Sequence, residues 1–191
     1  MILVFVTAWP TLHPPIQTAD IVKAATSLDA GGIYATATFI GPLVGGFVNW
    51  ITLALLIYTF SSVSGAHLNP TITFGTFFAG LITLPRMILY VSAQAIGGAM
   101  GGLILSSAYG SREFNAGGCT IDTTLVPARD AFTLEFIYSL AVILLSFGVA
   151  LDPRQSSVIS PTLAPWLVGL VLMVLSFSSA FTRMGYFGAS G

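Results

Sequence analysis

Charge is the scarcest commodity in this sequence. Its 191 residues hold 6 Lys plus Arg and 7 Asp plus Glu, only 7% of the chain, against about 25% in an average soluble domain. That shortage excludes a soluble enzyme. The 55% apolar content and mean hydropathy of +0.91 exclude a disordered tail. A formal net charge of −1 implies no bulk attraction to nucleic acid or to anionic lipid. Cysteine is almost absent: Cys119 stands alone, so no internal disulfide can form and the redox compartment is unreadable. Only two histidines occur, His13 and His67, in different segments, and no metal site is expected from them. No HExxH, Gly-x-Ser-x-Gly or Cys/His pair with ligand spacing is found, which argues against a membrane enzyme.

What is present is apolar sequence in long runs. No charged residue occurs from Ala30 to Pro85, Met87 to Ser111, Phe136 to Leu151 or Gln155 to Thr182. A bilayer is crossed by about 20 apolar residues in a helix, so the chain reads as a polytopic membrane protein. Met1 to Trp9 is apolar but too short to span, and it lacks the basic start of a signal peptide. Thr11 to Ala30 reads as an extramembrane loop. Four full spans follow: Ile33 to Phe60, whose excess length tilt or a frayed first turn near Pro42 would absorb, then Leu84 to Ala108, Ala131 to Leu151 and Pro161 to Phe181. Tyr109 to Asp130 and Asp152 to Ser160 are polar connections, and Arg183 to Gly191 is a Gly-rich ending.

Between the first two spans lies an apolar segment, Ser64 to Gly80, broken at Pro70. Free backbone amides and carbonyls are costly in lipid, so a broken segment at membrane depth must line a water-filled path or be buried in protein. Asn69 is a strong N-cap and Pro70 a favoured first helical residue, so a short helix is predicted from there toward Gly80. Its N-terminus would present partial positive charge inside the membrane, repelling cations and offering donors to a neutral polar solute. The Asn69 amide would add one more donor. The alternative is an ordinary Asn-Pro turn between helices.

The run from Ser64 to Gly75, SGAHLNPTITFG, resembles the first signature of the major intrinsic proteins, the aquaporin and glycerol-facilitator family, with Thr71 where Ala is usual. Further stretches resemble the family's third helix (Tyr90 to Gly97, with Gln94), the start of its fourth (Phe132 to Phe136, with Glu135), the fourth-to-fifth connection (Leu151 to Arg154) and its fifth helix (Leu163 to Leu170). Ala116-Gly117-Gly118-Cys119 and Thr71 resemble the X intrinsic subgroup or a fungal relative. The resemblance implies an all-α membrane protein, a helical bundle with an inverted repeat and a re-entrant half-helix. In that frame residues 1–191 are one incomplete channel domain. Residues 1–83 are a partial first repeat with its pore loop at 61–80, 84–108 the third helix, 109–130 the connecting loop and 131–191 a partial second repeat. The chain would hold the last part of the first helix, helices two to five and the first half-helix. A first-helix Glu would fall before Met1, and a second Asn-Pro-Ala motif, its filter Arg and a sixth span beyond Gly191. The sequence is thus expected to be a family member truncated at both ends.

The resemblance also implies site roles. Asn69, Pro70 and Thr71 form the pore motif. His67, Gln94 and Glu135 support the pore loop, His67 by packing, Gln94 by a bond to loop backbone or by packing, and Glu135 through loop backbone. The family's constriction falls on Asn49 and Ser176, with Phe181 as a rival for the latter. These residues are smaller and more polar than the aromatic and His of water-selective members. They suggest a filter that passes glycerol, urea or peroxide besides water. The small residues Ala93, Gly97 and Gly101 read as helix packing.

The function implied is passive flow of water and small neutral solutes, limited by size and by an Asn and half-helix site that excludes protons. Membrane lipid and three further copies, in a homotetramer, are the implied partners, without cofactor or nucleic acid. The alternatives are a non-conducting truncated fragment and a secondary transporter; apart from Arg86 at the edge of its span, Glu135 is the single charge within the spans, which argues against ion coupling. In the implied topology Lys23, Arg112, Arg129 and Arg183 lie outside and only Arg86 and Arg154 inside, the reverse of the usual positive-inside bias. Which membrane the protein occupies is not legible.

Overall fold

The computed structural model describes residues 37–109 and 126–179. The short apolar start, the loop at 11–30 with His13, the loop segment that holds Cys119 and the Gly-rich ending with Phe181 lie outside the described residues. Within them the protein is helical: α1 (Ala37–Ser64), α2 (Pro70–Phe78), α3 (Leu84–Tyr109), α4 (Ala128–Ser146) and α5 (Ala164–Ser179). Leu43–Ser64, Leu84–Ala108 and Ala128–Leu151 are long and apolar enough to cross a membrane. Leu55, Leu89, Leu103, Phe132 and Leu144 are among many large apolar side chains that stay exposed on these helices. Such a surface is stable in lipid and not in water, so the protein is an integral, multi-pass membrane protein.

Three boundaries differ from the sequence reading. Helix α1 is helical from Ala37 through Pro42, so of the two ways expected to absorb its length a first turn frayed near Pro42 is not seen, and it continues four residues past Phe60 to Ser64. Its 28 residues measure about 42 Å at the helical rise per residue, more than the hydrocarbon thickness of about 30 Å, so α1 must tilt or protrude. Helix α4 ends in a π-turn, Phe147–Leu151, where the Asp152 amide reaches back to the Phe147 carbonyl at 3.2 Å. A π-turn accommodates one extra residue and widens the helix locally. Helix α5 is described from Ala164 to Ser179, within the full span read from Pro161 to Phe181. It begins only at Ala164, because a turn closed by the Ser160 carbonyl and the buried Pro165 delay regular helix.

The most extensive packing joins α1 to α5, antiparallel. Gly169 makes this possible: a Cβ placed there would stand 2.6 Å from the Trp50 carbonyl oxygen and 2.7 Å from its indole. Small residues let membrane helices approach closely where lipid gives no hydrophobic drive to associate. The contact is then fixed by polar pairs across it. Trp50 Nε1 donates to the Trp166 carbonyl at 2.9 Å, and the Tyr58 hydroxyl donates to the Thr162 carbonyl. The two indoles meet edge to face at 5.6 Å. Helix α4 packs beside α5, and α2 lies between α3 and α4.

At the α4 to α5 connection, Asp152 caps a short 3₁₀ turn, Pro153–Ser157, and pairs with Arg154 at 2.6 Å. The hydrogen bonds from the Arg154 side chain and backbone hold the Asp152 carboxyl below its ordinary range. A carboxyl depressed in the folded state contributes stability above its unfolded pKa and loses it as pH falls through the folded value. The pair should therefore persist at neutral pH and open only in acid. An NMR titration of Asp152 is expected to give a midpoint below the model-peptide value of about 3.9; a midpoint at or above it would refute the pairing.

Candidate functional site

Helix α1 stops because Gly65 adopts a left-handed conformation, φ 79°, while its amide still bonds the Ser61 carbonyl at 3.0 Å. Glycine enters that region without the steric cost of a Cβ. Two non-glycine residues follow it there, Ala66 at φ 47° and Leu68 at φ 54°. Left-handed backbone at such residues is uncommon and concentrates at functional sites. The segment 65–68 is thus a tight, non-helical path held between two helices.

Asn69 ends that path. It is extended, φ −135° and ψ 128°, and its Oδ1 accepts from the Thr71 amide at 2.8 Å. Its carbonyl accepts from the Thr73 amide at 3.1 Å and from Thr73 Oγ1 at 3.0 Å. Pro70 takes the first helical position, where no amide is needed. The short helix predicted from the Asn-Pro pair is therefore present, and a bare turn is not. It ends at Phe78, with Gly80 turning left-handed and Leu81 bonded back to the Thr76 carbonyl.

Gln94 reaches α2 from α3, Nε2 donating to Thr73 Oγ1 at 3.0 Å. The sequence reading had it bond loop backbone or simply pack; the structure places it on the first turn of α2, bonded to a side chain. Thr73 is fully buried, so Thr73→Val should strand the Gln94 amide. The expected cost is about 1–3 kcal/mol, read as a lowered unfolding midpoint in detergent, with Thr73→Ser retaining most of the stability. His67 packs its ring edge to face on Tyr90 at 5.2 Å, and its Nδ1 is buried without a hydrogen-bond partner among the described residues. Tyr90 ties the loop to α3: its hydroxyl donates to the Ser64 carbonyl at 2.5 Å and accepts from Arg86 Nε and Nη2 at 2.9 and 2.8 Å.

These elements surround a cavity of about 600 Å³. Helix α1 faces it with Asn49, Leu53, Ile57 and Ser61, one residue per turn. Helix α5 faces it with Ala164, Val168, Leu172 and Ser176, again one per turn. Helix α4 adds Val142 and Ser146, and the π-turn adds Val149 to Leu151. The loop contributes 65–69, with Pro70 beside it. Each of the α1 and α5 stripes is apolar at its centre, with Asn49 and Ser61 ending the α1 stripe and Ser176 ending the α5 stripe.

Of the site residues expected from sequence, Asn69, Pro70, His67, Asn49 and Ser176 therefore line one cavity. Thr71 stands behind Asn69, its amide held by the cap. Gln94 supports α2 from outside the cavity. Glu135 is half-buried on α4, two turns before Ile143, the residue that meets Gly75 of α2, and it is not among the lining residues. Among the described residues no three His, Cys, Asp or Glu side chains gather as a metal site would require. Sequence reasoning missed Tyr90 as the loop's tie to α3 and Gly169 as the close approach. Neither has a sequence signal beyond its residue type.

Comparison with known proteins agrees with the geometry. The major intrinsic protein family matches residues 47–186, most of the chain, and the chain belongs to that family. Aquaporin TIP1-1 of Arabidopsis thaliana is 35% identical over 112 residues, 59% of this chain and 43% of the relative. Aquaporin-B of Dictyostelium discoideum is 30% identical over 122 residues, covering 61% and 42% respectively. Aquaporin PIP2-1 of Arabidopsis thaliana is 29% identical over 180 residues, 92% of this chain and 61% of the relative. The chain thus spans about half the length of the curated relatives it matches.

Proposed function

We propose that the protein of which this chain forms the described part is a passive membrane channel for water and small neutral solutes. The observation that carries this is the half-helix capped by Asn69, whose N-terminus opens on a cavity also lined by Asn49 and Ser176. The helix end favours electron-rich oxygen and disfavours cations. Asn69 then acts as donor to a passing oxygen, while His67, Gln94 and Glu135 hold the surrounding scaffold. Asn49 and Ser176 act as a small polar constriction that admits glycerol, urea or peroxide as well as water. The chemistry asked of the protein is hydrogen bonding alone, so the reading calls for no enzyme activity. In the membrane the subunit assembles as a homotetramer, as the relatives' family does. Thr71 and the segment 116–119 favour the X intrinsic or fungal branch.

A second reading has its own support. The chain spans about half the relatives' length, so residues 1–191 alone could insert without conducting. Stopped-flow swelling of proteoliposomes separates the two, with water and then glycerol as permeant. Flux above empty vesicles from the chain means that it forms a pore itself. Flux only from a longer protein continuing into a second Asn-Pro-Ala motif assigns conduction to the whole. No flux from either refutes the channel, and flux that follows a proton gradient assigns a transporter instead.

A further inference from the structure

We infer that Ser146 is a specificity-determining residue of this cavity, its hydroxyl serving as a hydrogen-bonding stop on the α4 wall for small solutes that carry more than one hydroxyl. The inference rests on the channel reading above and extends it to a residue that neither the signature nor the constriction includes. Ser146 is only 2% exposed, yet it lines the cavity. No side-chain hydrogen bond joins it to the described protein. Helical Ser and Thr commonly bond the carbonyl one turn back, as Thr59, Ser107 and Thr133 do here. Ser146 does not, although Val142 lies one turn back. Among the described residues only His67 Nδ1 is a buried side-chain polar atom without a partner, so Ser146 Oγ is not closed off; it keeps access to the cavity that the residue lines, and a hydroxyl there needs a partner. What occupies the cavity must therefore satisfy it.

Its position gives the stop a use. Gly75, five residues beyond Pro70, sits against Ile143 and Phe147, the residues that flank Ser146 on α4. Ser146 thus belongs to the turn of α4 that faces the half-helix. The cavity then offers hydrogen bonds from two walls, Asn69 in the loop and Ser146 on α4, with apolar stripes on α1 and α5 between them. A water molecule can keep water neighbours in a file and depends little on any one wall. A polyol is larger and displaces those neighbours. Each of its hydroxyls must find a protein group or go unpaired. Loss of the Ser146 hydroxyl should therefore slow a polyol more than it slows water.

The test compares water and glycerol permeability in proteoliposomes of the unsubstituted chain, Ser146→Ala and Ser146→Thr. Alanine is expected to lower glycerol permeability about three- to tenfold, to leave water permeability within about twofold, and threonine to restore glycerol. An equal change in both permeants, or none, overturns the assignment. A second measurement does not depend on flux. In a Cys119→Ser background, Ser146→Cys should react with a water-soluble methanethiosulfonate, and molar glycerol should slow that reaction. Leu144→Cys, on the exposed apolar face, should stay unlabelled. Absence of labelling at position 146 overturns the assignment. If the unsubstituted chain carries no water, the channel reading for this chain fails by itself. Labelling slowed by glycerol then upholds Ser146, and labelling that glycerol leaves unchanged rejects it.

Discussion

Asn69→Asp should cut solute flux at least about tenfold while leaving the half-helix in place. The two halves of that expectation come from different atoms of one side chain. Oδ1 caps α2 through the Thr71 amide at 2.8 Å, and Asp caps a helix as well as Asn does. The amide NH₂ is the proposed donor to a passing oxygen, and Asp replaces it with an acceptor carrying charge. Losing one hydrogen bond to a passing solute is worth about 1–1.5 kcal/mol, close to a factor of ten in rate. An anion there also draws cations toward the helix end, so the barrier to them should fall. Asn69→Ala is the complementary variant. It removes donor and cap together, and should lower stability by about 0.5–2 kcal/mol besides reducing flux. Swelling assays read the flux, and unfolding in detergent reads the stability. Unchanged flux with a folded Asn69→Asp protein would remove Asn69 from the pathway.

The largest effect on stability is expected at Gly169. Its ideal Cβ position lies 2.6 Å from the Trp50 carbonyl oxygen, and a backbone atom cannot rotate away. Alanine would force α1 and α5 apart by on the order of 1 Å to restore ordinary contact. The bond from Trp50 Nε1 to the Trp166 carbonyl spans the same crossing and would stretch with it. Overpacking of this kind costs about 1–3 kcal/mol, and Gly169→Leu should prevent the pair from forming at all. Because α1 and α5 carry Asn49 and Ser176, the cavity would lose its shape along with the contact. Gly102→Ala is the control: nothing lies within 4 Å of a Cβ there, and its unfolding midpoint should match the parent. Equal midpoints for Gly169→Ala and Gly102→Ala would show that the close approach does not hold the fold together.

The broken segment illustrates what local sequence can specify. Asn69, Pro70 and the glycines at 65 and 80 act on their own backbones. Capping, a fixed φ and access to left-handed conformations are properties of a residue and its immediate neighbours. The half-helix was therefore legible as Pro70 to about Gly80 and ends at Phe78. Long apolar runs likewise announced α1, α3 and α4, since the hydrocarbon thickness sets the length of any crossing. The continuation of α1 past Phe60, the π-turn after Ser146 and the late start of α5 were not legible. They depend on how one helix end meets another element.

The sequence by itself thus determined the membrane class, the order of apolar helices, the Asn-capped half-helix and the family resemblance, because hydropathy and capping are local in the chain. Tertiary structure decided the partners: Trp50 against Gly169, Gln94 on Thr73, Tyr90 on the Ser64 carbonyl. It also decided which residues share a cavity. Asn49, Asn69, Ser146 and Ser176 are scattered over more than half of the chain, and only the antiparallel crossing of α1 and α5, with α4 and the loop beside it, brings them to one space. Glu135, which sequence read as a support of the pore loop, lies outside that lining. Lipid gives helices no hydrophobic reason to choose one neighbour over another. That choice falls to close contacts and a few buried hydrogen bonds, and these exist only once the helices have met.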